Sequence, residues 1–173
     1  MLLHQYLSQR SGARAIMDDV TIARVIHVLA VLHWIGGLWL VTLVLLPAVG
    51  RMAGPARRLE VFEAIEGRFS GQARVSVVLA GLSGFWMTWR LDAWWRFAEP
   101  GYWWMHAMVV LWAIFAVILL IAEPLVLHAW FHRAAASRPE AVYRLVLRAH
   151  RVLAAVAAVT VAGAVAGAHG MLF

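Results

Sequence analysis

Eight histidines and no cysteine occur in a chain of 173 residues. Without thiolates, disulfides, iron–sulfur clusters and CxxCH haem attachment are excluded, so a bound metal must use nitrogen, oxygen or thioether ligands. Imidazole suits haem iron, copper and zinc. Two of the histidines, His27 and His106, fall five and four residues into apolar runs that read as helices of the same direction. At 1.5 Å rise per residue both lie about 6 to 8 Å inside the helix start, the matched depth expected of two axial ligands to one haem b. His169 nears that level from the opposite chain direction. His128, His132 and His150 form a second group at the other end, where His128 and His132 share a helical face and could pair with His150 around a second haem. His33, about 9 Å deeper than His27 and turned away from it, suits a hydrogen bond to a cofactor edge or a quinone. Ionisable groups at such depths are costly and line functional pathways, although hydrogen-bonded packing is the bland alternative for each. His4 has no assignment.

These depths rest on the elements that carry them. The chain is 64% hydrophobic and 14% charged with mean hydropathy +0.77, which makes lipid its main solvent. Four apolar runs read as membrane helices at about 22–49, 73–95, 102–131 and 145–171, an all-α antiparallel four-helix domain over 22–173. Residues 1–21 read as an interfacial arm. Pro47 and Gly50 are expected to end the first helix, and Glu99-Pro100-Gly101 to turn the chain between the second and third. The stretch 51–71 reads as an amphipathic lead-in to the second helix. The first run is too long for a signal-peptide core.

All 15 basic residues are arginine, and they lie in connections and at helix ends, a pattern that sets topology and does not fit a nucleic-acid surface. Ten fall on one side and Arg10, Arg14, Arg24, Arg90 and Arg96 on the other. Both termini are therefore expected on the non-cytoplasmic side of the inner membrane. Trp94, Trp95, Tyr102, Trp103 and Trp104 read as an aromatic belt at that outer end. There Arg90 and Arg96, beside Asp92, offer bidentate geometry to haem propionates or to lipid headgroups. Gly163-x-x-x-Gly167 and Gly81-x-x-Gly84 allow close helix packing, a homodimer contact or the approach of a flat cofactor. Glu123-Pro124 interrupts the third helix, where the carboxylate needs a partner for which Arg144, Arg148 and Arg151 are available. An ion pair is expected there, with proton uptake at Glu123 as the alternative.

The run His27-Val-Leu-Ala-Val-Leu-His-Trp34-Ile-Gly36-Gly37-Leu38 resembles the first core helix of the HemJ-type protoporphyrinogen oxidases and CopD-like membrane proteins, with tryptophan seven residues after histidine. Gly101-Tyr-Trp-Trp104-Met-His106-Ala107 resembles the HemJ segment reading Trp-Leu-His-Ala-Lys. The resemblance covers the first and third helices. It implies that His27 and His106 occupy haem-ligand or near-ligand positions, with porphyrinogen oxidation in one family and copper uptake or resistance in the other. This chain has Met108 in place of that lysine, Thr42-Leu43 in place of a Pro-Arg pair, and His150 where an acidic motif introduces the last helix. The haem site is thus carried over without the enzymatic activity. The resulting expectation is a b-type membrane cytochrome transferring electrons, with a quinone or a redox protein as partner. A copper transport protein is the alternative, weakened because the seven methionines form no repeated array beyond the single Met105-x-x-Met108 spacing, and an oxidoreductase acting on porphyrinogen is the third reading.

Overall fold

The structure is a computed structural model that describes residues 2–52, 54–127, 133–134 and 136–171, with side chains from Ile16 onward except at 55, 56, 126 and 127. The described residues form helices without strands. Helix α1 (Leu2–Leu40) runs through a π-helical turn (Val41–Leu45) into α2 (Leu46–Met52); α3 is Pro55–Arg90. Two 3₁₀ turns (Trp94–Ala98 and Pro100–Tyr102) lead to α4 (Trp103–Ala116), which continues as a π-helix over Val117–Leu127. The last helix, α5, is Pro139–Ala168.

Three segments are long and apolar enough to cross a membrane, Ile16–Met52, Pro100–Leu125 and Pro139–Ala168. Helix α3 is as long, but its first half carries Arg57, Arg58, Glu60, Glu63, Glu66 and Arg68, so only its second half is apolar. Leu32, Leu43 and Leu82 are each about two-thirds exposed, an outward apolar surface that suits lipid contact.

The helix bounds differ from expectation at both ends of the first run. Residues 2–21 are continuous with α1 and form no separate element, since nothing between Leu2 and Ile22 breaks a helix. Pro47 and Gly50 do not end it. The π turn just before Pro47 widens the ladder where the proline ring would crowd the preceding turn and where its missing N–H leaves a carbonyl short. Pro124 likewise lies inside a π-helical run. The amphipathic lead-in is borne out as the first half of α3.

Helices α1 and α3 pack side by side in opposite directions, as Asp19 meets Arg90, His27 meets Ala80 and Gly37 meets Phe69. Helix α4 packs on α5, and α3 also touches α4 and α5. One apolar core joins Trp34, Leu38, Val77, Leu111, Phe115 and Ala157 from all four long helices. A second, nearer the arginine-rich end, joins Val41, Leu46, Phe62 and Tyr143, with the Tyr143 hydroxyl donating to the Leu46 carbonyl at 2.7 Å.

The glycine faces are filled from within. A Cβ on Gly163 would come within 2.6 Å of the Trp103 indole, and one on Gly167 would overlap Trp104. Gly81 receives Trp112, whose Nε1–H donates to the Val77 carbonyl at 2.8 Å. The Gly163/Gly167 face is therefore an internal socket that holds indole rings.

Candidate functional site

The histidines are best judged by what each ring touches. His27, on α1, donates Nδ1–H to the Ala80 carbonyl at 2.9 Å, with the Ser83 hydroxyl at 3.2 Å. Its ring lies 3.2 Å from where a Gly84 Cβ would stand, so Gly84 makes the space for it. His106 is exposed and sets its edge against Phe97, with centroids 5.2 Å apart. The two rings have different partners, His27 on α3 and His106 in the 3₁₀ turn. Equal depth along two helices fixes height, whereas facing requires matched rotation about each axis.

His169, past the end of α5, is exposed and bonds the Val165 carbonyl at 2.8 Å. His33 is exposed beside Phe69. His128 and His132, and the side chain of His4, lie outside the described residues. Arg90 is paired with Asp19 at 2.8 Å, and Arg96 stacks over the rings of Trp95 and Tyr102. Both arginines offered to propionates are engaged by the chain's own groups.

The residues do not fit a haem in this packing. The glycine cradle holds Trp103 and Trp104, and the cavity among Trp34, Phe69 and Phe115 is about 50 Å³, against the roughly 300 to 1,000 Å³ of ordinary ligand pockets. A shallow groove of about 320 Å³ between α1 and α3 is lined by Ile22, Ile26, Leu79 and Trp86 with Asp19 and Ser83, and no histidine lines it. Among the described residues, no three His, Asp or Glu side chains gather as a metal-holding group.

The small cavity is where ionisable groups converge. Glu66 and Ser70 from α3 and His150 from α5 line it, among Trp34, Phe69 and Phe115. Beside it, Arg74 pairs with Glu123 at 2.9 Å, and the Ser70 hydroxyl donates to the same Glu123 oxygen. Glu123 therefore finds its cation on α3, where α5 was expected to supply Arg144, Arg148 or Arg151. A π-helical turn rotates each following side chain relative to an α-helix, and the run over Val117–Leu127 is what carries Glu123 around to α3. His150 donates Nδ1–H to the Val146 carbonyl at 3.0 Å, which leaves Nε2 with its lone pair, and its ring meets Phe62 edge-on.

Glu66 lies outside the three apolar spans, in the charged half of α3. Burial pushes its carboxyl up to about 7, with the charges of Glu123 and Glu63 adding to the rise and Arg74 opposing it. Two carboxylates here share one guanidinium, and Glu123 holds both Arg74 and Ser70. Glu66 is left as the acid that keeps its proton. Sequence reading singled out Glu123 and His150 but missed Glu66, Ser70 and Arg74. The available signal was their spacing of four, which puts all three on one helical face.

Comparison of the chain with protein-family models, curated proteins and solved structures finds no match.

Proposed function

We propose that this chain is a multi-pass inner-membrane protein in which three apolar helices and the second, apolar half of α3 cross the bilayer, with the arginine-rich connections and the charged first half of α3 on the cytoplasmic side. Its work is to take up and release a proton at the cluster of Glu66, Ser70, Arg74, Glu123 and His150. The observation that carries this reading is the meeting of Glu66 and His150 on one small cavity, with the Arg74–Glu123 ion pair tied to its wall through Ser70. In a poorly polarisable setting two neighbouring carboxylates cannot both ionise against one cation. Glu123 is held charged by Arg74 and Ser70, so Glu66 is the group that changes protonation. His150, with Nε2 free to accept, is the adjacent base.

Infrared difference spectra of the protein in nanodiscs test it. A protonated carboxyl band should be present at pH 5, halve near pH 7 and vanish by pH 9, because the raised acid keeps its proton below about 7. Glu66→Gln should remove that band. A Glu66→Gln protein with an undiminished band would assign the proton elsewhere.

A second reading, a b-type haem electron carrier serving a quinone or a redox protein, is favoured by one observation. His27 and His169 each donate Nδ1–H to a backbone carbonyl, the orientation that presents Nε2 to a metal. It requires Trp103 and Trp104 to leave their glycine socket. Purified protein with a Soret band and sharp bands on reduction would favour it; colourless protein would remove it, and colourless protein retaining copper would favour copper handling.

A further inference from the structure

We infer that the Glu66 cavity is a proton well reached from the arginine-rich end alone: Glu60, Glu63 and Glu66 lead inward along α3, and Trp34, Val77, Leu111 and Phe115 close the way beyond. This rests on the proton-binding reading of the cluster. Residues 60, 63, 66, 70 and 74 follow one another at steps of three or four, so they form one stripe along α3. Burial deepens from Glu60, which is exposed, through the half-buried Glu63 and Glu66 to Ser70 at 3% exposed, while Arg74 beyond it keeps 38% of its side chain exposed and turns to Glu123. The next residue of that stripe, Val77, is wholly buried in the core that all four long helices share.

The cavity of about 50 Å³ has room for water, since roughly 10 to 15 Å³ suffices for one molecule. Hydronium on the arginine-rich side gives its proton to the Glu66 carboxylate, leaving a neutral acid and water, and His150 Nε2 is the acceptor across the cavity. The charged groups around Glu66 are Glu63 and Arg74 on its own helix, Glu123 from the π-helical run after α4, and His150 on α5. Among the described residues α1 contributes only apolar lining, from Trp34, Leu38 and Val41.

On the far side of the core Ser83 and His27 meet; short of them Ser76 and, ten positions beyond His150, Thr160 are buried, the latter bonded to the Val156 carbonyl of its own helix. Ser70 and Ser83 stand 13 positions apart, about 20 Å along the helix axis. Ser76 lies between them, still about 9 Å or more from each, beyond the reach of a hydrogen bond. The packed core interposes side chains where a water chain would have to run. The two polar halves are therefore separate, and the inner one exchanges with one compartment.

The full chain in proteoliposomes tests this, with orientation read from tryptic cleavage in the arginine-rich 51–58 segment. A pH step from 5 to 9 is applied to one face at a time with impermeant buffer, while the carboxyl band removed by Glu66→Gln is followed. The band should follow pH on the arginine-rich face and stay constant when only the other face is stepped. Glu60→Gln with Glu63→Gln should slow the response about tenfold while leaving its amplitude. A band that follows the opposite face, or both faces equally, overturns one-sided access while the proton site stands. If no band responds to either face in protein that is folded by circular dichroism, the proton-binding reading itself falls.

Discussion

Arg74→Met should destabilise the protein by about 2 to 3 kcal/mol, read as a lowered melting temperature in detergent at pH 8. The pair with Glu123 is partly buried, with side-chain exposures of 38% and 25%, so the loss belongs at or below the lower end of the roughly 3 to 5 kcal/mol seen when a buried ion pair is broken from one side. Most of that cost is the stranded charge: Glu123 would keep only the Ser70 hydroxyl as a donor. Two companion variants separate the causes. Glu123→Gln should cost less than Arg74→Met, since an amide can still accept from Ser70. The double replacement Arg74→Met with Glu123→Leu should be milder than Arg74→Met alone, because neither partner then leaves a charge behind. If Arg74→Met melts like the wild type, this ion pair is not what joins α3 to the π-helical run.

The glycine socket supplies the other large effect. In an unobstructed helix, Gly→Ala gains roughly 0.5 to 1 kcal/mol by reducing backbone freedom. Gly36, with no atom near its would-be Cβ, should behave that way and melt at or above the wild type. Gly167→Leu should do the opposite and lose at least about 3 kcal/mol, because its side chain would occupy the space of the Trp104 indole in a core without slack. Gly167→Ala should lose about 1 to 2 kcal/mol, and Trp104→Leu in the same chain should recover part of it. Sign, measured by melting curves of the two alanine variants, is the decisive quantity. Equal stabilisation at Gly36 and Gly167 would mean that the indole does not sit in the socket.

The socket also explains why one pattern in the sequence was open to several readings. Small residues four apart state that something approaches closely, and they are silent about what. Here the visitor is an indole from the same chain, contributed by the tryptophans that otherwise read as an interfacial belt. Trp103 remains 43% exposed and serves both roles, whereas Trp104 is 8% exposed and is a packing residue.

The long apolar runs determined that the chain is helical and suited to a membrane, because a helix of that length satisfies its own backbone hydrogen bonds in hydrocarbon. The turn at Glu99-Pro100-Gly101 follows from that one-dimensional record, as do three of the four expected spans; the fourth is the apolar half of a helix whose charged first half begins at Pro55. Position along the axis of a regular helix can be estimated in the same way, since an α-helix rises by a constant step. Rotation about the helix axis was another matter. Two π-helical segments, each placed at a proline, reset the angular register in ways that regular 3.6-residue periodicity does not encode. That is why Glu123, inside the second of them, meets Arg74 and not an arginine of α5. The convergence of Glu66, Ser70 and His150 on one cavity was decided by packing between helices far apart in sequence. A residue's type and height can be read along the chain; which neighbours it acquires is fixed only when the helices are rotated against one another.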